Sequence, residues 1–256
     1  MIGLENKILG FWEKMVTLKP PGRLVTHQDI NQVRIEVSLV QKLLSTKDTL
    51  LDVGCGNGFT TSGYAKMCSK TVGMDYSKNM IDFAKKAYKS KKLDFEAGDV
   101  MSMNYKRGKF STILSTRCLI NLTDWNKQKM AIKNIHRILD KGGRFILIEG
   151  IKQGRDNLNK LRVEFGLPLM PRVWHNIDFD EEKLLLFLER LFIIKQDKRL
   201  GLYDILTRVI YPADIYPRQP GYATRYHDIA EKLYYLFGDN LFREYSREAC
   251  LVLIKK

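Results

Sequence analysis

Nine consecutive residues constrain this chain more than any others: Leu50-Leu51-Asp52-Val53-Gly54-Cys55-Gly56-Asn57-Gly58. An apolar run delivers an acid, and glycines then follow at alternate positions ahead of a helix-like segment. Glycines at 54, 56 and 58 remove the Cβ atoms that would keep the backbone from turning sharply and approaching a ligand closely. A plain strand-to-helix turn would account for the glycines alone. Three further acids and turns, however, fall where a doubly wound cofactor domain would place them. The dinucleotide fingerprint Gly-x-Gly-x-x-Gly would need its third glycine at position 59, which is Phe59, so a nicotinamide cofactor is disfavoured.

The next strand, Thr71-Val72-Gly73-Met74-Asp75, ends in an acid. Ser77 suits the cap of the helix behind it, because the periodic run Met80, Ile81, Phe83, Ala84, Ala87 and Tyr88 begins just after. Ala97-Gly98-Asp99-Val100 supplies a third acidic turn, residues 110–115 a fourth strand, and Thr116-Arg117-Cys118-Leu119-Ile120-Asn121-Leu122 its exit. Leu139-Asp140-Lys141-Gly142-Gly143 reads as a helix-ending turn before a fifth strand at residues 144–149.

With the acid and Gly-x-Gly-x-Gly of residues 52–58, Asp75 and the turn at Asp99, the chain resembles the class I S-adenosylmethionine-dependent methyltransferases, most closely over residues 26–150. The resemblance implies an α/β fold, a Rossmann-like doubly wound seven-stranded sheet with its last strand antiparallel. N-terminal lid helices and a cap, built by insertions after strand 5 and near strands 6 and 7, would complete it. It also implies S-adenosyl-L-methionine as cofactor, held by Gly54, Cys55, Gly56, Asp75, Tyr76, Met80, Asp99, Val100 and Ser115. The Asp75 carboxylate would accept both ribose hydroxyls, and Asp99 would pair with the adenine amino group. Arg34 is the candidate for the methionyl carboxylate, while Phe11, Trp12, Thr26 and His27 are candidate lid contacts. Nucleobase amine methylation is not expected, because the Asn/Asp-Pro-Pro-aromatic turn of those enzymes has no counterpart near residue 116. The segments 116–122, 174–176 and 207–212 also resemble methyltransferases found with bacterial capsule and surface-polysaccharide synthesis.

At 256 residues and 45% apolar content, the chain can bury one large core. We expect a single domain over residues 1–256: N-terminal helices in 1–45, a cofactor core in 46–150, and a substrate cap with the final strands in 151–256. Helices are expected at residues 4–18, 30–44, 126–139 and 180–190, and strands at 191–195 and 249–254. Cys55, Cys68, Cys118 and Cys250 lack metal-ligand spacing and fit a reducing compartment. Glu5 interrupts any leader-like run, and apolar stretches such as residues 184–188 are far short of a membrane span. The expected location is the cytoplasm. Of the net charge of +14, residues 1–150 hold +11, much of it in Lys85, Lys86, Lys89, Lys91 and Lys92. These sit at the far end of the helix after Asp75, about 20 Å from a cleft at the strand ends. They suit the helix dipole and solubility better than substrate binding, so nucleic acid is not the expected partner.

The chain after Glu149 should overhang the cleft, bringing Arg162, Arg172, His175, Tyr203 and Arg208 toward an acceptor beside Arg117 and Asn121. A sugar hydroxyl needs a base, for which His175 and Glu149 are the candidates and His136, among apolar neighbours, is not. A phosphate or carboxylate acceptor needs none, and Arg117, Arg162, Arg172 and Arg208 would clamp it. Arg117 counts as catalytic as well, since its strand end faces the cofactor. No set of acids suggests a metal. The leading expectation is O-methylation of a small polar or anionic metabolite, such as a phosphorylated or nucleotide-linked precursor of a capsule or surface glycan. The alternatives are an RNA methyltransferase and a non-catalytic cofactor-binding scaffold. Tyr234-Tyr235-Leu236-Phe237 is either a homodimer surface or core.

Overall fold

The computed structural model describes residues 3–18, 27–106 and 108–256, so Pro20-Pro21-Gly22 and Thr26 lie outside the described residues. Helices α1 (Leu4–Leu18) and α2 (Ile30–Gln41) precede the sheet. Strands β1 (Thr49–Val53), β2 (Lys70–Asp75) and β3 (Leu93–Ala97) alternate with α3 (Phe59–Tyr64) and α4 (Lys78–Ala87). Then come β4 (Phe110–Thr116), α5 (Trp125–Ile138), β5 (Leu139–Gly150), α6 (Lys152–Glu164), α7 (Glu181–Leu188) and β6 (Phe192–Arg199). Next, α8 (Gly201–Ile205), a π turn (Leu206–Ile210) and α9 (Tyr211–Ile215) run on without a break, before α10 (Arg225–Phe237) and β7 (Glu248–Lys255).

The strand order is β3-β2-β1-β4-β5-β7-β6. Strands β1 to β5 are parallel, and β7 runs antiparallel to both β5 and β6. This is the Rossmann-like seven-stranded sheet, with its last strand antiparallel, that the glycine loop and the acids implied. Both faces are covered, as the unbroken apolar run of β5 requires. Phe145 and Leu147 pack with Ile132, Ile135, Leu184 and Leu188 on one face. Ile146 and Ile148 point the other way, toward Ile35, Leu39, Tyr203 and Ala230.

Three boundaries differ from the sequence expectation by three residues or more. Residues 139–143 form the irregular start of β5, with Leu139 paired to Phe110 and Arg144 to Thr112. Helix α2 stops at Gln41, and the chain beyond it turns so that Ser45 N–H donates to Asp48 Oδ2 at 2.7 Å. Strand β6 extends to Arg199 because β7 pairs with it as far as Ala249. Lys85 and Lys86 occupy the last turn of α4, at the opposite end from Asp75, and are exposed. On α10, Tyr234 is buried at 5% exposure, whereas Leu236 and Phe237 stand out at 72% and 61%. No helix among the described residues is long and apolar enough to cross a membrane. Nor do those residues gather three His, Cys, Asp or Glu side chains able to hold a metal.

Candidate functional site

The strand order reverses between β1 and β4, and the carboxyl ends of these strands open onto a cavity of about 1120 Å³. The loop after β1 forms its floor. Gly54 has φ +75°, and a Cβ there would lie 2.5 Å from the Cys118 side chain, so only glycine lets the loop pass beneath the exit of β4. The N–H groups of Gly54 and Cys55 both donate to Met74 O, at 2.7 and 3.0 Å, which ties the loop to β2. Asp75 then holds it from the side. One carboxylate oxygen accepts Gly56 N–H at 2.8 Å and the other Ser77 N–H at 2.9 Å. Burial nevertheless raises the Asp75 pKa. Asp52, wholly enclosed behind the loop, accepts the Thr61 hydroxyl at 2.6 Å and is pushed by burial up to about 7.

Gly54, Gly56, Asp75, Tyr76, Met80, Asp99 and Val100 all line the cavity. Ser77 accepts Met80 N–H as the cap of α4 and donates its own hydroxyl to Glu13 at 3.0 Å, anchoring α1 across the opening. Helix α1 is fixed a second time where Trp12 Nε1 donates to Asn121 Oδ1 at 3.1 Å, while Asn121 Nδ2 donates to Arg117 O at 3.0 Å. Phe11, Trp12 and His27 are thus on the cavity wall.

The acceptor side is built around His175, which is 7% exposed. Its ring lies 4.7 Å from Phe11, 5.2 Å from Trp12 and 5.0 Å from Trp174, centroid to centroid. Burial in this apolar setting lowers its pKa and favours the neutral imidazole. Its Nδ1 has no hydrogen-bond partner among the described residues.

Several expected site residues are placed elsewhere. Glu149 is 1% exposed and is not on the cavity wall. Its Oε1 accepts the Ser115 hydroxyl at 3.0 Å and the N–H groups of Cys118 and Leu119 at 3.0 and 2.8 Å; Oε2 accepts Ile120 N–H at 3.3 Å. A carboxylate so occupied shapes the turn after β4 and has no route to an acceptor proton. Burial outweighs those bonds and pushes its pKa up to about 7. Ser115 is consumed by the same contact, and Cys55 is buried behind the loop. Arg34 is on the exposed side of α2, 3.5 Å from Glu231 and away from the cavity, because helical periodicity turns it from the buried face of Val33 and Ile35. Arg172 is exposed and off the wall. Tyr203 is fully buried in the core, its hydroxyl donating to Asp29 at 2.6 Å.

Of the four arginines expected at the acceptor, Arg117, Arg162 and Arg208 do line the cavity, as do Arg155, Arg218 and Arg247. Arg117 takes a left-handed backbone, φ +49°, which aims its guanidinium at Glu36, with Glu248 3.8 Å away. Burial opposes that charge, but the two glutamates prevail and raise its pKa. Arg208 pairs with Asp29; burial works against this carboxylate too, yet Arg208 and the Tyr203 hydroxyl hold it at about 2. Arg162 alone of the three meets only main-chain carbonyls, those of Pro168 at 2.8 Å and of Arg208. Sequence reasoning missed Glu36, Asp178, Arg247 and Glu248. Glu248 shares Arg117 with Glu36, and burial followed by the Glu36 charge pushes it up to about 8. Nothing local marks these residues, since each meets its partner far along the chain: Glu36 and Glu248 meet Arg117, Asp178 meets Arg155 and Arg247 meets Asp204.

Residues 51–147 match the family described as a methyltransferase domain. A demethylmenaquinone methyltransferase of Lactococcus lactis is 32% identical over 107 residues, 40% of this chain and 41% of that protein. A ubiquinone biosynthesis O-methyltransferase of Coxiella burnetii is 30% identical over 127 residues, 49% of this chain and 53% of that protein. The chain thus spans about half the length of the curated relatives it matches. Among solved structures, the N-methyltransferase NodS of Bradyrhizobium japonicum, in complex with S-adenosyl-L-homocysteine, aligns over 97% of this chain and 98% of its own. The TM-score is 0.60 at 12% identity, a likeness of fold. Residues 51–147 accordingly match the methyltransferase-domain family, within a sheet that has the Rossmann-like fold of S-adenosylmethionine-dependent methyltransferases.

Proposed function

We propose that this chain is an S-adenosylmethionine-dependent methyltransferase that O-methylates a small polar acceptor. Residues 1–256 would act as one domain, with the N-terminal helices over a cofactor core and residues 151–256 over the acceptor. The observation that carries this reading is the continuity of one cavity from the glycine loop, Asp75 and Asp99 to His175. The cofactor end fits the group: Gly54 brings the main chain to the surface, and each Asp75 oxygen keeps a lone pair beyond its main-chain bond for a ribose hydroxyl. Asp99 lies on the same wall for an adenine amino group, and Val100 beside it for the ring edge. When bound, S-adenosylmethionine supplies a methyl group already activated by its sulfonium.

The protein's remaining work is to orient the acceptor, exclude water and take a proton. Helix α1, tied down through Trp12 and Glu13, closes the cavity from above. His175, neutral and with a free ring nitrogen, is the group suited to receive the acceptor hydroxyl proton. Arg117 and Arg208 already answer carboxylates, so an anionic group on the acceptor falls to Arg162. A phosphorylated or nucleotide-linked surface-glycan precursor is the acceptor class we put forward. A phenolic acceptor is the second reading, favoured by Phe11, Trp12 and Trp174 around His175 and by the ubiquinone pathway in the name of one relative.

Calorimetric titration with S-adenosylhomocysteine tests the cofactor half. Wild type is expected to bind, and Asp75→Ala to bind at least tenfold more weakly while unfolding at a similar temperature; equal affinity would overturn the assignment. With labelled methyl donor, His175→Ala is expected to lower kcat by roughly 10² to 10⁴ while the donor KM holds. A phenol would shed that dependence as pH approaches its own pKa, whereas a sugar hydroxyl would not.

A further inference from the structure

We infer that the inner end of the cavity is a hydrogen-bond-accepting hollow around Gly150 that receives the hydroxyl-bearing ring of a carbohydrate-like acceptor, a refinement that rests on the methyltransferase reading above. The strands set its geometry. Gly150 ends β5 and pairs directly with Glu248, the first residue of β7. Directly opposed residues of antiparallel strands project from the same face, with Cβ atoms about 5 Å apart. Gly150 has no side chain to place there. Asp178 comes in from the other side, its Oδ1 only 2.5 Å from where a Cβ on Gly150 would sit.

The segment bearing Asp178 is held firmly against the sheet ends. Ile177 N–H donates to Ile120 O at 2.7 Å, and Phe179 N–H to Gly150 O at 2.8 Å. The Asp178 carboxylate therefore takes the space that a side chain on Gly150 would fill, with Glu248 on the neighbouring strand, and Gly150, Asp178 and Glu248 all line the cavity.

What these groups lack is donors. Asp178 Oδ1, Asn176 Oδ1 and His175 Nδ1 are buried and have no hydrogen-bond partner among the described residues, and Glu248 Oε2 is buried with no hydrogen bond, the Arg117 guanidinium standing 3.8 Å from it. The second Asp178 oxygen already takes Arg155 Nε at 2.6 Å. The Asp178 and Asn176 oxygens can only accept, and the neutral His175 ring accepts at the nitrogen without a proton; Glu248, pushed up to about 8, keeps an accepting oxygen while its other oxygen donates when it holds the proton. Terminal carboxylate and amide torsions are broad, so a small rotation turns such an oxygen toward the cavity its residue already lines. Buried acceptors are costly to leave unmade, and the ligand that satisfies them must bring several O–H or N–H groups at close spacing. A phosphate or a quinone carbonyl would face them with more acceptors. A polyol ring fits, and an amino sugar shares the same chemistry.

Ligand-observed saturation-transfer NMR on the full chain, with and without S-adenosylhomocysteine, tests this with a panel of methyl hexosides, the hexosamines and the peracetylated hexosides. At least one hexoside or hexosamine is expected to bind, and the peracetylated hexosides, stripped of donors, to bind at least tenfold more weakly. Which of the two series binds more tightly assigns the donor as hydroxyl or ammonium. Glu248→Gln, Asp178→Asn and Gly150→Ala are each expected to weaken binding at least fivefold. Thermal unfolding identifies any variant that fails to fold, and the remaining ones carry the test. Equal binding of the peracetylated ring, unchanged affinity in the folded variants, or no binding from the whole panel would overturn the hollow. Failure of S-adenosylhomocysteine to bind would strike the proposed function instead and leave the sugar titration readable.

Discussion

Glu149 is a residue whose chemistry and whose surroundings disagree. Chemistry nominates an acid at the end of a central strand as a base, yet three main-chain N–H groups and a hydroxyl close over it. Its raised pKa has a consequence for stability. Below about pH 4 both folded and unfolded forms hold the proton. Between there and the folded value of about 7, the unfolded chain releases the proton while the folded chain keeps it, so stability falls across that window and levels off above it. Glu149→Gln is expected to flatten this part of the profile, read as a smaller loss of urea-unfolding free energy between pH 5 and pH 8 than wild type shows. Parallel profiles would mean that Glu149 ionises normally. Gly54, Asp75 and Asp99 were readable because their spacing along the chain is itself the requirement for a turn beside a ligand. Glu248 and Asp178 were not, since what matters about them is a neighbour nearly a hundred residues or a whole connection away.

Among the elements, the core strands were the most legible and the layers over them the least. Alternation in β5 sorts Phe145 and Leu147 from Ile146 and Ile148 without help from the rest of the chain. Helix α1 shows only an amphipathic pattern in sequence; its role comes from Trp12, which meets Asn121 across 109 positions. One neutral hydrogen bond contributes about 1 kcal/mol net. Trp12→Phe, which removes the donor and keeps an aromatic ring, is therefore expected to speed S-adenosylhomocysteine dissociation by about fivefold, with little change in thermal stability. Stopped-flow displacement would measure it, and an unchanged rate would show that α1 does not gate the cavity. The π turn escaped notice because nothing in Leu206-Thr207-Arg208-Val209-Ile210 breaks a helical pattern. The wide turn reflects what surrounds it, with Arg208 drawn to Asp29 and the Thr207 hydroxyl donating to Tyr203 O at 2.7 Å.

At the scale of the molecule, the lysine cluster of α4 and the cavity are kept apart. The lysines at the end of α4 are exposed and sit about a helix length from Asp75, beyond a Debye length at physiological salt. Replacing Lys85 and Lys86 together by Gln is expected to leave S-adenosylhomocysteine affinity within twofold by calorimetry; a larger change would place that end of α4 within reach of the site. The sheet order carries a further consequence, for the chain as it is made. Strand β7 is the last of the seven to be synthesised, yet it lies between β5 and β6. While residues 200–247 are still being added, β5 has one side bare and β6 has no partner at all. Two unpaired strand edges then wait at the ribosome for the same strand, and the nascent chain is most open to mispairing over that interval. The strand that ends the wait also delivers Glu248 to the cavity, so the site is finished in the same step that seals the sheet.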